Sequence, residues 1–103
     1  MSAPLSVHLF AEMIKLIEMR LIIMHELGVL RHVVKTAAQV AKDNQIEKVK
    51  FITLEVGEES SYVPYYLNKL FPIAIEYYPE IGKPELKLIR VPGRRLQIKE
   101  LGY

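Results

Sequence analysis

The feature that most constrains the fold is a change of apolar spacing along the chain. In residues 27–42 apolar side chains recur every three or four positions, the spacing of a helix with one buried face. Residues 48–56 alternate instead and are rich in β-branched and aromatic types, which predicts a strand closed by Gly57. The turn-forming residues 43–45 separate the two patterns. The predicted helix directs one row of residues inward: Leu30, Val33, Val34, Ala37, Ala38 and Ala41.

A further helix is predicted from Pro64 to about Tyr78, because proline suits the first helical turn. Ser60 or Ser61 could cap it. Pro72 removes a backbone hydrogen bond inside this pattern, so we expect a kink or two short helices. The residues predicted to point inward are Leu67, Leu70, Phe71 and Ala74.

The last part of the chain contains two alternating segments, residues 85–91 and 95–101, on either side of Pro92-Gly93. Pro-Gly suits the central positions of a type II turn, so the pair is predicted to form an antiparallel hairpin. The chain length of 103 residues allows one domain. The predicted class is α+β: a small three-stranded mixed sheet with two helices on one face, plus an extra N-terminal helix.

That N-terminal helix is predicted over residues 4–23, where apolar residues again follow helical spacing. Charged residues interrupt the segment, so no uncharged run is long enough to cross a bilayer. It also lacks the basic start and cleavage site of a signal peptide. These features and the absence of cysteine predict a cytoplasmic protein with no membrane partner.

Composition excludes several function classes. A formal net charge of +2, evenly spread, does not favour a nucleic-acid partner, and Arg90, Arg94 and Arg95 are expected to be solvated. Without cysteine there is no thiolate nucleophile and no cysteine-based zinc site, so no zinc is expected. No phosphate-binding loop or nucleophile motif is present, so we do not expect an enzyme and assign no catalytic or cofactor-binding residue.

The histidine–carboxylate pair His25-Glu26 is the candidate metal site. Imidazole suits nickel, copper and zinc. If Met24 were the first residue, its amine would join the amide and imidazole of His25 in fused chelate rings that favour planar Ni(II) or Cu(II). The alternative is a solvated polar pair at a helix start. His8 and His32 are interpreted as surface or partly buried histidines and not as ligands.

Tyrosine is concentrated between residues 62 and 78, at Tyr62, Tyr65, Tyr66, Tyr77 and Tyr78. Because tyrosine is enriched at interfaces, this cluster could form a contact patch. Half-buried packing of a helix is the equally weighted alternative.

Several motifs, taken in their order along the chain, resemble those of the hydrogenase/urease nickel-incorporation proteins, the HypA/HybF family. The resemblance rests on MHEL at residues 24–27, LEVGE at 54–58, Val63-Pro64, and LKLIRVP at 86–92. It covers 80 of the 103 residues and predicts an N-terminal helical extension, residues 1–23, before a HypA-like nickel-binding domain, residues 24–103.

The resemblance implies a nickel metallochaperone that binds Ni(II) through Met24 (amine), His25 (imidazole and amide) and Glu26. It also implies delivery, with a maturation GTPase, to the [NiFe]-hydrogenase large subunit or to urease accessory proteins.

Two departures from the family pattern affect these expectations. The 23 residues before Met24 lock its amine in a peptide bond, which is explained either by a true start at Met24 or by a genuine extra helix. The family's zinc domain, with two Cys-x-x-Cys pairs, is replaced by a direct passage from residues 91–93 into 94–101. An alternative function is therefore an interaction module that no longer binds nickel, and the apolar row Leu9, Met13 and Ile17 allows a homodimer.

Overall fold

The computed structural model describes the backbone of residues 5–103 and the side chains of residues 11–103. The predicted α+β class is confirmed, with two helices and a three-stranded mixed sheet. The elements are α1 (Leu5–Asp43), β1 (Phe51–Gly57), α2 (Pro64–Ile75), a 3-10 turn (Pro79–Ile81), β2 (Glu85–Val91) and β3 (Leu96–Gly102).

Helix α1 joins the two predicted helical segments into one helix of 39 residues, without a break at the predicted domain boundary. It ends where the turn-forming residues predicted an end. The amide of Ile46 donates to the carbonyl of Ala41 at 2.8 Å, and that of Gln45 to Lys42 at 3.2 Å. This is a Schellman motif, in which Gln45 adopts a positive φ of 58°.

The core lies between the helices and one face of the sheet. Every residue predicted to point inward from residues 27–42 and from α2 is buried, together with Ile52, Leu54 and Val56 of β1. Pro72 lies inside one continuous α2, so the alternative of two short helices was wrong. Pro72 lies three residues before the end of α2, so its missing amide removes a hydrogen bond only in the last turn.

The predicted hairpin between the last two strands was wrong. The strand order is β2-β1-β3, so β1 is central, parallel to β2 and antiparallel to β3. Pro92-Gly93 lies in a connection that crosses the end of β1 instead of joining neighbouring strands. The amide of Glu59 donates to the carbonyl of Gly93 at 2.8 Å, which fixes this crossing.

Gly57 is the residue that permits the crossing. A Cβ placed there would lie 2.3 Å from the carbonyl oxygen of Gly93 and 2.8 Å from the carbonyl carbon of Arg94, both backbone atoms. Its own amide donates to the carbonyl of Arg95 at 2.7 Å. The close backbone approach therefore requires glycine at the end of β1.

A β-bulge at Lys99 sets the register of β3. Thr53 pairs with Glu100 but Leu54 pairs with Ile98, which leaves Lys99 as the extra residue. The apolar residues of β3 are spaced two and then three apart, so strict alternation would turn some of them away from the core. The bulge absorbs the longer step and keeps the apolar residues on the core side: Leu96, Ile98 and Leu101.

The N-terminal part of α1 projects beyond this core and makes the molecule 66 Å long. Residues 11–25 are all exposed, and Glu26 is the first buried residue among the side chains of residues 11–103. Among the helices of residues 5–103, none has the length and apolar character needed to cross a membrane.

Candidate metal centre

The candidate site lies where α1 enters the domain. The side chain of His25 is 48% exposed, whereas that of Glu26 is only 1% exposed. Consecutive residues on a helix point about 100° apart, so one side chain faces solvent while the next enters the core. This change of environment brings an accessible imidazole next to a buried carboxylate.

Both oxygens of the Glu26 carboxylate are hydrogen-bonded. Oε1 lies 2.8 Å from Nδ1 of His25, and Oε2 accepts the backbone N–H of Val63 at 2.8 Å. Val63 is the N-cap residue of α2, and no side chain of its own caps that helix. Glu26 therefore links the candidate metal ligand to the start of the second helix, where the helix dipole favours negative charge.

Tyr62 holds the imidazole from a second direction. Its ring stacks on that of His25 with the centroids 4.8 Å apart and the planes 12° from parallel. Tyr62 belongs to the segment before α2, so His25 contacts the same short stretch of chain as Glu26 does. The imidazole plane is thus fixed by one stack and one hydrogen bond.

This arrangement determines which nitrogen of His25 is available. When Nδ1 carries the proton and donates it to the carboxylate, the lone pair of the neutral ring lies on Nε2. Metal-bound histidines commonly donate their other ring N–H to a carboxylate, which fixes the tautomer and increases the basicity of the ligand atom. The geometry therefore favours metal binding at Nε2.

Met24 is 63% exposed and lies within α1. In an α-helix the amides of residues 24 and 25 donate to carbonyls one turn earlier, so neither nitrogen is free for a metal. No group of three or more histidine, aspartate or glutamate side chains that could hold a metal occurs in the part of the chain the structure describes. Met24, His25 and Glu26 are adjacent, and in this conformation the imidazole presents the only free nitrogen donor among them.

The other residues indicated by the sequence lie outside this arrangement. His32 is exposed two turns further along the same side of α1, and the side chain of His8 lies outside the described residues. Ser60 does not cap α2; its hydroxyl donates to the carbonyl of Gly57 at 2.7 Å and stabilises the turn after β1. Ser61 is exposed and likewise provides no cap.

The tyrosines divide between the two interpretations. Tyr62, Tyr66 and Tyr78 are half-buried against the core, as helix packing predicted. Tyr65 and Tyr77 are exposed, and a cation lies over each ring: Lys69 over Tyr65 and Arg31 over Tyr77.

Sequence reasoning missed the roles of Tyr62 and Val63. The sequence indicates Tyr62 only as part of a tyrosine cluster, and it indicates Val63 only as the residue before a proline that starts a helix. The backbone amides at the start of a helix have no acceptor within it, and the valine before Pro64 has no side-chain oxygen to provide one. That signal could have prompted a search for a buried acceptor.

Comparison with known proteins identifies the family. The sequence profile described as "Hydrogenase/urease nickel incorporation, metallochaperone, hypA" matches residues 24–96, well over half of the chain. The chain belongs to the HypA family. The resemblance stated from the motifs is thereby confirmed, and the match begins at Met24, two residues before the first buried residue.

Two curated HypA relatives are similar over 70 residues, 68% of this chain. The "Hydrogenase maturation factor HypA" of Methanocella arvoryzae is 35% identical, and the match covers 61% of its length. The protein of the same name from Deinococcus radiodurans is 33% identical, with 58% of its length covered. The chain thus spans about three fifths of these HypA proteins.

Proposed function

We propose that this HypA-family chain carries Ni(II) for the maturation of a [NiFe]-hydrogenase or of urease, with His25 as the anchoring ligand. The observation that carries the proposal is the exposed imidazole fixed by Glu26 and Tyr62 at the start of the family match. Such preorganisation is typical of a ligand and is more than a solvated polar pair needs.

The three adjacent residues have different roles in this proposal. His25 binds the ion through Nε2, and Glu26 orients the imidazole from the protein side. Met24 contributes its nitrogen only where the chain begins at that residue, since within α1 its amide is part of the helix. In the helical state water completes the coordination, and a site with one protein nitrogen releases its ion readily to a receiving protein.

Delivery requires a protein that accepts the ion. Membership of the family supports a maturation GTPase, and then the hydrogenase large subunit or urease accessory proteins, as partners in this step. The exposed position of His25 suits the transfer, because an incoming ligand can reach Nε2 without opening the core.

Nickel titration of the full chain by isothermal calorimetry tests the proposal. We expect one Ni(II) per chain, with an affinity that falls at least about tenfold in His25→Ala. His32→Ala is the matched control, because it removes an exposed histidine of the same helix, and it should bind as the parent does. Affinity that is unchanged in His25→Ala would contradict the proposal, and a parent chain that binds no nickel would favour an interaction module instead.

A further inference from the structure

The projecting part of α1 exposes an unusual amount of apolar surface. Nine large apolar side chains in residues 13–24 are between 37% and 65% exposed. At about 200 Å² for a fully exposed side chain of this size, they present roughly 900 Å² of apolar surface, more than the largest patch on a typical monomer. These residues are Met13, Ile14, Leu16, Ile17, Met19, Leu21, Ile22, Ile23 and Met24.

Part of this surface forms a regular stripe. Ile14, Ile17, Leu21 and Met24 follow each other at steps of three, four and three residues, the spacing of a coiled-coil seam. At 100° per residue this stripe lies on the side of α1 opposite to its buried row. A second helix can therefore lie along the stripe without meeting the chain's own sheet.

The charges of the segment favour a partner that is itself neutral. Glu12 and Glu18 balance Lys15 and Arg20, so the projecting segment has no net charge. Two copies would not repel each other, and the segment provides no excess of basic residues that would draw it to an anionic membrane. For the same reason the segment does not complement a strongly acidic or strongly basic partner surface.

We propose that two copies of this chain dimerise through residues 13–24, with Ile14, Ile17, Leu21 and Met24 at the seam. At the same scale the four seam residues expose roughly 440 Å² on each copy, so the dimer would bury a small interface compared with about 800 Å² per partner in a standard stable one. A helix that is apolar around most of its circumference is stable in water only when it is covered, and a second copy provides an identical helix. Because Met24 precedes His25, the dimer places one end of its seam beside the candidate metal ligand.

Sedimentation equilibrium and light scattering of the full chain test this proposal from low to high micromolar concentration. We expect a mass of twice the 11.9 kDa of one chain. The double variant Ile17→Glu/Leu21→Lys puts two charges into the seam and keeps the net charge, so the dimer dissociation constant should rise by about a hundredfold or more. Ile73→Glu, at an exposed isoleucine of α2, is the matched control and should leave the dimer intact.

Loss of the dimer in the double variant is distinguishable from unfolding, because residues 13–24 contribute nothing to the buried core. Its far-UV circular dichroism and urea midpoint, compared with the parent at concentrations where both are monomeric, should agree. A parent chain that is monomeric throughout would overturn the proposal, and so would a dimer that survives in the double variant. A monomer that binds vesicles of phosphatidylcholine and phosphatidylglycerol would also overturn it and assign the stripe to lipid.

Discussion

Replacing Glu26 by alanine should destabilise the fold more than any other removal of a carboxylate among residues 11–103. The carboxylate is 1% exposed and accepts hydrogen bonds from His25 and from the backbone of Val63. Each of these hydrogen bonds to a charged group contributes about 1.5–3 kcal/mol. Part of the loss is offset in the variant, because water can replace the carboxylate as the partner of the exposed imidazole. We therefore expect a loss of about 3 kcal/mol, a large share of the 5–15 kcal/mol by which domains are stable.

The assay is urea unfolding followed by circular dichroism. With a slope of about 1–1.5 kcal/mol per molar urea for a chain of this size, the midpoint of Glu26→Ala should fall by about 2–3 M. Glu12→Ala removes an exposed carboxylate from the same helix and should change the stability by less than about 0.5 kcal/mol. A midpoint for Glu26→Ala that equals that of this control would refute the reasoning.

Glu26→Gln separates the structural role of the carboxylate from its effect on the metal ligand. The glutamine oxygen can still accept the amide of Val63, so we expect a loss of only about 1 kcal/mol. Its NH₂ group then faces Nδ1 of His25, which favours the tautomer with the proton on Nε2. Nickel affinity should fall by about 10–100-fold although the fold is retained. Nickel affinity equal to that of the parent would show that Glu26 does not orient the ligand.

Substitutions at three further positions, two of them with a control, test the crossing at β1, the end of α1 and the stack on His25. Gly57→Ala should lower the stability in thermal unfolding by at least about 2 kcal/mol, because the new Cβ meets backbone atoms. Gly28→Ala is the control: nothing lies within 4 Å of the new Cβ, so it should stabilise the helix by about 1 kcal/mol. Equal effects of the two substitutions would contradict the close backbone crossing at the end of β1. Gln45→Gly should raise the stability by about 0.5–1 kcal/mol, because it relieves a positive φ, and a lower melting temperature would argue against the Schellman end of α1. Tyr62→Ala should weaken nickel binding in calorimetry about tenfold, whereas Tyr62→Phe, which keeps the stacked ring, should change the affinity less than twofold. Equal losses of affinity in the two variants would show that the ring stack does not support nickel binding.

The inward faces of the helices and of β1 were predictable because burial follows local periodicity. Leu30 and Leu67 are each completely buried, as the helical spacing indicated, and Ile52 is buried as strand alternation indicated. These assignments need only the geometry of one element. The helix end at residues 43–45 was also local, since the backbone there turns within a few residues.

The partner of each strand was not predictable in the same way. Pro92-Gly93 suits a tight turn, but the same residues also suit a short connection that crosses the end of another strand. The central position of β1 is seen only in the structure, where Thr53 is buried on the face opposite to the apolar residues and neighbours flank the strand on both sides. Strand order depends on contacts between distant segments, which the local turn preference does not contain.

The candidate site shows the same division. The pair His25-Glu26 is adjacent in sequence, so its chemistry was evident from the residues. The contact between Glu26 and Val63 joins residues 37 positions apart and depends on how α1 packs against α2. For this reason the sequence indicated a ligand but not the two groups that hold it in place.

The most direct test of the central claim is the visible absorption spectrum of Ni(II) bound to two forms of the protein, the full chain and a chain that begins at Met24. We expect both forms to bind one Ni(II) in a manner that requires His25. The band of planar Ni(II) should appear only in the shorter form, where the amine and the amide of residues 24 and 25 are free. Nickel binding that persists in His25→Ala of both forms, or no binding by either, would contradict the claim that His25 anchors the ion.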